Sequence, residues 1–155
     1  MMTIFDNPAL TRELAIAAAG VVVGLLFSIG RGLNTHIWKY KRDAVAVPKS
    51  ELFFAIVMAF VPITKVLYAL IAASVLAQRN LANSELSIVA TFAGGAFALI
   101  AVVQGAWAAK LINAPTAKEG LLGTFPFKMA MLGLIETLAV FALVGTLVFA
   151  TRLAA

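Results

Sequence analysis

The hydrophobic residues of this chain fall into four long runs, and short polar or charged segments separate them. The runs cover about residues 12–38, 52–78, 85–112 and 125–151. A helix needs about 20 apolar residues to cross the ~30 Å hydrocarbon core of a bilayer. Each run is long enough, so the pattern predicts an all-α membrane protein with four transmembrane helices in a single membrane domain, residues 1–155.

Residues that commonly begin helices precede the first three runs, namely Asn7-Pro8, Pro48 and Asn83-Ser84. Before the fourth run, Thr116 and Glu119 have the spacing of a capping box. We therefore expect the fourth helix to begin in the preceding loop and to enter the membrane near Pro126.

The second half of the chain repeats the first at a shift of 73 residues. The shift places Met58 on Met131, Thr64 on Thr137, Tyr68 on Phe141 and Gly32 on Gly105. An internal repeat without a linker indicates equivalent structural units. We interpret residues 1–80 and 81–155 as two tandem duplicated hairpins of the same topology, which is a parallel repeat.

The composition agrees with a membrane protein, because 63% of the residues are hydrophobic and only 12% are charged. The net charge of +5 comes from basic residues that cluster in the first and third connections. The positive-inside rule then places loops 31–49 and 110–128 in the cytoplasm and both termini outside. This explains the charge without a nucleic-acid partner, and His36 is expected to be solvated at the basic end.

Small residues recur every four positions in two of the runs, as Gly20, Gly24, Ser28 and Gly32 and as Ala101, Gly105 and Ala109. Such spacing lets helix backbones approach closely in lipid. The pattern fits pairing of the first and third helices within one chain. It equally fits a crowded inner wall where many copies meet.

Two ionisable side chains are predicted to lie deep in the membrane, Glu136 in the fourth helix and Lys65 in the second. An ionised carboxylate at mid-bilayer costs ~2.5–3.5 kcal/mol on insertion scales, so such groups commonly mark ion pathways. The repeat places Ile63 opposite Glu136, so the duplicated unit carries its carboxylate once. The alternative is a structural salt bridge between Glu136 and Lys65, with Gln104 as a hydrogen-bonding link between helices.

Neither a metal-ligand cluster, a nucleophile triad nor a phosphate-binding loop is recognisable in the sequence, and the chain has no cysteine. The chain is therefore predicted to require no cofactor and not to be an enzyme by itself.

Four segments of the chain resemble the proteolipid ring subunit of V/A-type rotary ATPases. The resemblance extends over nearly the whole chain. Residues 61–70 (VPITKVLYAL) resemble its second helix and residues 104–109 (QGAWAA) its third. Residues 134–143 (LIETLAVFAL) resemble its ion-binding fourth helix, and residues 28–32 (SIGRG) its glycine-rich first helix.

The resemblance implies a homo-oligomeric ring in the lipid bilayer that turns against a stationary half-channel subunit. It also implies contact with the central stalk of a soluble ATPase head. Each copy would carry one H⁺, or alternatively one Na⁺, on its glutamate as the ring rotates, and the flow would be coupled to ATP hydrolysis or synthesis.

The resemblance further implies the residues of the ion site. The positions that match the ion-binding residues of sodium-binding members are Glu136, Gln104, Thr64, the Val61 carbonyl and position 65, and the family's tyrosine matches Tyr68. Position 65 is a glutamine in those members and Lys65 here. Two positive charges at ~4 Å repel by ~4 kcal/mol at an effective dielectric constant of 20, which argues against sodium. Either Glu136 carries protons and Lys65 tunes its ionisation, or Lys65 replaces the ion as a tethered counter-charge.

Two other functions compete with the rotor. The chain could be a subunit of a small non-rotary proton or cation channel, or a structural membrane adaptor in which Lys65 and Glu136 only join helices.

Overall fold

The computed structural model describes residues 4–44, 46–114 and 125–153, and these residues form no β-strand. Four long helices dominate the fold: α1 (Pro8–Arg42), α2 (Lys49–Leu76), α3 (Asn83–Asn113) and α4 (Phe125–Leu153). A short 3₁₀ turn, Ile4–Asp6, precedes α1. Each long helix has the length and composition to cross a membrane, with a mean hydropathy of 2.1 to 2.3 in its most apolar window. For the described residues, the predictions of an all-α fold and of four helices long and apolar enough to span a membrane are confirmed.

The starts of the first three helices follow the local sequence. The Asn7 Oδ1 atom accepts a hydrogen bond from the Ala9 N–H at 2.9 Å, and Pro8 is the first residue of α1. Pro48 caps α2. The Ala82 N–H donates to the Glu85 carboxylate at 3.1 Å at the start of α3. The predicted capping box at Thr116 and Glu119 lies outside the described residues.

The helices extend further than the hydrophobic runs, so the predicted loop bounds are wrong. Helix α1 ends at Arg42 and α2 begins at Lys49, so most of the predicted loop 31–49 is helical. Lys110 lies in α3 and Lys128 in α4, so both ends of the predicted loop 110–128 are helical as well. Hydropathy marks where apolar surface ends, whereas a charged helix can continue into water beyond that point.

Helices α1 and α3 make the closest packing in the chain, and the predicted glycine stripes lie between them. A Cβ atom at Gly105 would lie 2.1 Å from the Gly24 carbonyl oxygen, and one at Gly20 would lie 2.3 Å from the Ala98 Cα. These distances are shorter than any real carbon contact, so only glycine permits this approach. The pairing of α1 with α3 inside one chain is therefore confirmed.

We expect Gly105→Ala to destabilise the fold by about 1–3 kcal/mol, because the new methyl group overlaps backbone that cannot move aside. Gly95→Ala is the matched control on the same helix, since no atom lies within 4 Å of its Cβ position. The control should be neutral or stabilising by up to ~1 kcal/mol. Unfolding in mixed detergent measures both, and equal effects of the two changes would contradict the packing argument.

Two helices depart from α geometry at the same side of the bundle. Residues Leu26–Leu33 of α1 form a π-helical segment, and Val61–Ile63 of α2 form a 3₁₀ turn around Pro62. Proline has no N–H, so the local backbone cannot complete its ladder. The Ser28 hydroxyl donates to the Ala59 carbonyl at 2.7 Å and thereby ties the π segment to the interrupted part of α2.

Helix α4 packs against α2 and α3 and presents a broad apolar face outward. Its large exposed side chains are Leu134, Leu138, Phe141, Val144, Val148 and Phe149. In a chain whose helices span a membrane, lipid or other subunits cover such a face.

Candidate functional site

The structure brings Lys65 of α2 and Glu136 of α4 into direct contact. The Lys65 ammonium donates a hydrogen bond to the Glu136 Oε2 atom and forms an ion pair with it. The Lys65 side chain is 0% exposed, whereas the Glu136 side chain is 26% exposed. The sequence left open whether these groups meet, and the fold joins them.

Helix α3 contributes a second donor to the same carboxylate. The Gln104 Nε2 atom donates to Glu136 Oε2 at 2.9 Å and lies 3.4 Å from the Leu132 carbonyl oxygen. The Gln104 Oε1 atom is buried and has no hydrogen-bond partner among the described residues. The glutamine thus directs its N–H group, not its oxygen, at the carboxylate.

The interruption of α2 at Pro62 supplies the other polar groups of the site. The Thr64 hydroxyl donates to the Val61 carbonyl at 2.8 Å, within the 3₁₀ turn. The same hydroxyl oxygen accepts a hydrogen bond from Lys65 Nζ at 2.7 Å. The turn therefore positions Val61, Thr64 and Lys65 as a connected chain that ends at Glu136.

Tyr68, one turn further along α2, completes the surroundings of the ion pair. Its ring lies 5.7 Å from Lys65 Nζ and stacks on Phe97 of α3 at a centroid distance of 6.3 Å. All six residues proposed from the sequence thus form one cluster, built from α2, α3 and α4.

We call this cluster the Glu136 site. In it the Lys65 ammonium lies against oxygen atoms of the kind that bind cations. The Lys65 ammonium contacts one carboxylate oxygen and one hydroxyl oxygen, which are groups that hold hard monovalent or divalent cations in proteins. The carboxylate meanwhile accepts charge-assisted hydrogen bonds, which favour its ionised form. The arrangement can store one unit of positive charge beside a carboxylate that remains partly open to its surroundings.

No protein-family model matches this chain, and no curated protein matches its sequence.

One buried carboxyl group, that of Glu13 in α1, was not among the residues proposed from the sequence. Glu13 is 0% exposed on the face of α1 that packs against α3. Its backbone lies against Gly94, where an added Cβ would be 2.7 Å from the Glu13 carbonyl oxygen. Neither carboxyl oxygen has a hydrogen-bond partner within the described ranges. The spacing of three and four residues that relates Glu13 to Ala17, Gly20 and Gly24 could have placed it on this buried face.

We expect Glu13→Met to stabilise the chain by about 1–3 kcal/mol, because an unpaired buried polar group is costly and methionine fills a similar volume. The measurement is the free energy of unfolding in mixed detergent at neutral pH. Lys49→Met, at an exposed charged residue, is the control and should change stability by no more than ~0.5 kcal/mol. Destabilisation of the Glu13 variant by a similar amount would reveal a partner for this carboxyl group.

His36 was expected to be solvated, and this is wrong. It is 8% exposed, because α1 continues as a helix and carries His36 into contact with the start of α2. There it packs edge-on against Tyr40 at a centroid distance of 5.2 Å, and the Tyr40 hydroxyl donates to Glu51. This second polar cluster joins α1 to α2 and does not contact the Glu136 site.

Proposed function

We propose that this chain is the ion-carrying ring subunit of a V/A-type rotary ATPase or ATP synthase. The observation that carries the proposal is the position of Glu136, a carboxylate in the interior of a 28-residue apolar span, held by polar groups from two other helices. Intramembrane carboxylates of this kind are expensive and are retained for ion or proton movement.

The partial exposure of Glu136 supports a carrier role. A carboxylate that faces lipid must be neutralised, and it can become charged when water or a cation approaches. The exposed part of its side chain provides access from outside the chain, while the buried part remains held by Lys65 and Gln104. A site of this design can pass between a lipid-facing state and a water-facing state as the ring turns.

The packing of the helices supports assembly into a ring. The glycine-lined pair of α1 and α3 packs closely, and α4 carries large apolar side chains outward that neighbouring copies or lipid would cover. In this proposal the tandem hairpins 1–80 and 81–155 place α1 and α3 on the inner wall and α2 and α4 on the outer wall.

The proposal includes the surroundings of the ring. Both termini lie outside, and the basic ends of the helices lie in the cytoplasm, where they would meet the central stalk of the soluble ATPase head. The exposed side of Glu136 would meet a stationary half-channel subunit. The cargo is H⁺ in preference to Na⁺, because the Lys65 ammonium lies against the oxygens that a sodium ion would need.

The mass and sodium response of the intact assembly test this proposal. We expect the protein extracted in a mild detergent to run as a closed ring of many copies, and native mass spectrometry should give one fixed copy number. Coupled ATP turnover in vesicles should be independent of added Na⁺. A dimer or tetramer would favour the channel, and an absolute Na⁺ requirement would overturn the choice of cargo.

The ion pair itself favours a second candidate, a structural membrane adaptor. A buried Lys65–Glu136 contact joins α2 to α4 and would serve as interhelical linkage without any transport. The two functions differ in what happens when the charge of Glu136 is removed.

A further inference from the structure

The charge of the Glu136 site differs from that of a lone membrane carboxyl group, because Lys65 is part of it. The Lys65 Nζ atom contacts Glu136 and, at 2.7 Å, the Thr64 hydroxyl oxygen. The lysine is fully buried and contacts no other carboxylate in the described part of the chain. The two side chains must therefore be counted together when the charge of the site is considered.

Three net charges follow from this count. The pair is neutral overall when the amine is charged and the carboxylate ionised, or when both groups are uncharged. A further proton on Glu136 would leave the site with a charge of +1, and loss of the lysine proton would leave it at −1. Only the neutral state can face lipid without a large penalty. In that state the pair holds one exchangeable proton.

The neighbours of the pair decide which group holds that proton. In water a lysine amine retains its proton to a pH about six units higher than a glutamic acid does. The Gln104 N–H donates to the carboxylate at 2.9 Å and thereby favours its ionised form. The Thr64 oxygen accepts from the amine and thereby favours the ammonium form. Both contacts act in the same direction.

We propose that the transported proton is carried on the Lys65 amine, and that Glu136 crosses the lipid as an ionised carboxylate neutralised by that ammonium. This inference rests on the proposed function, since it concerns the same site. In this scheme Lys65 is the proton carrier. Glu136 is its counter-ion and the group that water or the stationary subunit can reach.

The exchange step follows from the geometry. When water or a cation of the stationary subunit draws the Glu136 carboxylate away, Lys65 becomes an unpaired buried ammonium, which is unfavourable. One N–H bond then breaks, its electron pair remains on nitrogen, and the proton passes to water. The neutral amine keeps its hydrogen bond with Thr64. Reloading is the reverse step, in which water supplies the proton and the ion pair re-forms.

The titratable groups that face the Lys65 amine are Glu136 from α4 and Tyr68 from α2. Helix α3 contributes the Gln104 amide to the same cluster, and this group does not titrate. The proton therefore has two acceptors of very different strength available, the amine and the carboxylate.

Labelling of Glu136 with dicyclohexylcarbodiimide tests where the proton resides, because a protonated carboxyl group gives its proton to a nitrogen of this lipid-soluble reagent and then adds to its central carbon. The full chain in its membrane is labelled at neutral pH, and mass spectrometry quantifies the adduct on Glu136. We expect slow labelling of the wild type and at least tenfold faster labelling of Lys65→Met and Lys65→Gln. Lys128→Met is the matched control, since this buried lysine donates to the Ala114 carbonyl and does not contact Glu136.

A second variant separates a proton carrier from a merely structural cation. Lys65→Arg keeps the charge and the ion pair, but a guanidinium does not release its proton. We expect slow labelling together with at least a tenfold loss of proton pumping in vesicles. A structural role predicts that arginine preserves transport.

Equal labelling of the wild type and both neutral variants would overturn the inference, and so would pumping near the wild-type rate by Lys65→Arg. The labelling result depends on the resting site and not on rotation. Failure of the ring proposal would therefore appear in the particle mass, whereas failure of this inference would appear in the labelling rates.

Discussion

Replacement of Glu136 by glutamine is expected to reduce transport-coupled ATP turnover in intact vesicles by about 100-fold or more, because an amide can neither become charged nor act as a counter-ion. Glutamine retains the shape of the side chain and an oxygen that can accept from Gln104 and Lys65. The change therefore removes charge while it preserves most of the packing. Proton uptake by vesicles and ATP turnover are measured on the same preparation.

Glu13→Gln is the matched control, because Glu13 is also a buried glutamate but lies between α1 and α3, away from the Glu136 site. Its coupled turnover should stay within about twofold of wild type, as expected for a group outside the site. If the Glu136 variant assembles normally and keeps its turnover, the chain is a structural adaptor and the ion-carrier proposal fails.

The helical architecture was predictable because hydrophobic length is a direct physical requirement of spanning a bilayer. Glycines at four-residue spacing, such as Gly20 and Gly24, indicated close helix packing in lipid, but they left open whether α1 meets α3 of the same chain or helices of other copies. The cluster of polar residues could be anticipated for a similar reason. Leaving groups such as Glu136, Lys65 and Gln104 unpaired in an apolar environment is costly, so contact among them was one of the expected arrangements.

The extent of the helices could not be predicted from hydropathy. The charged residues Lys39 to Arg42 were assigned to a loop, yet they continue α1, because lysine and arginine are good helix formers in water. The burial of His36 follows from this extension. Glu13 was missed because it lies near the start of the first hydrophobic run, where a charged residue is ordinarily solvated, whereas its helical face packs against α3.

The pairing of Lys65 with Glu136 was left open by the sequence because it depends on Pro62. The 3₁₀ turn at Val61–Ile63 changes the direction in which the following residues project. Residue spacing in an ideal helix therefore does not tell which face Lys65 occupies. At this turn the Val61 carbonyl accepts from the Thr64 hydroxyl, whose oxygen in turn accepts from Lys65.

A double-mutant cycle on Lys65 and Glu136 should show strong coupling between the two residues. Glu136→Gln alone leaves the fully buried Lys65 without its counter-charge and should destabilise the chain by about 3–5 kcal/mol. Lys65→Met alone should cost less, about 1–3 kcal/mol, because the partly exposed carboxyl group can take up a proton. The double variant should lie within about 2 kcal/mol of wild type, because an apolar group and an amide leave no unpaired charge.

The measurement is the free energy of unfolding in mixed detergent for all four proteins. Lys128→Met combined with Glu136→Gln is the control pair, and its effects should add within about 0.5 kcal/mol because the two side chains do not touch. Additive effects for Lys65 and Glu136 would mean that the two charges do not depend on each other. The neutral pair on which both the carrier proposal and the lysine-borne proton rest would then not exist.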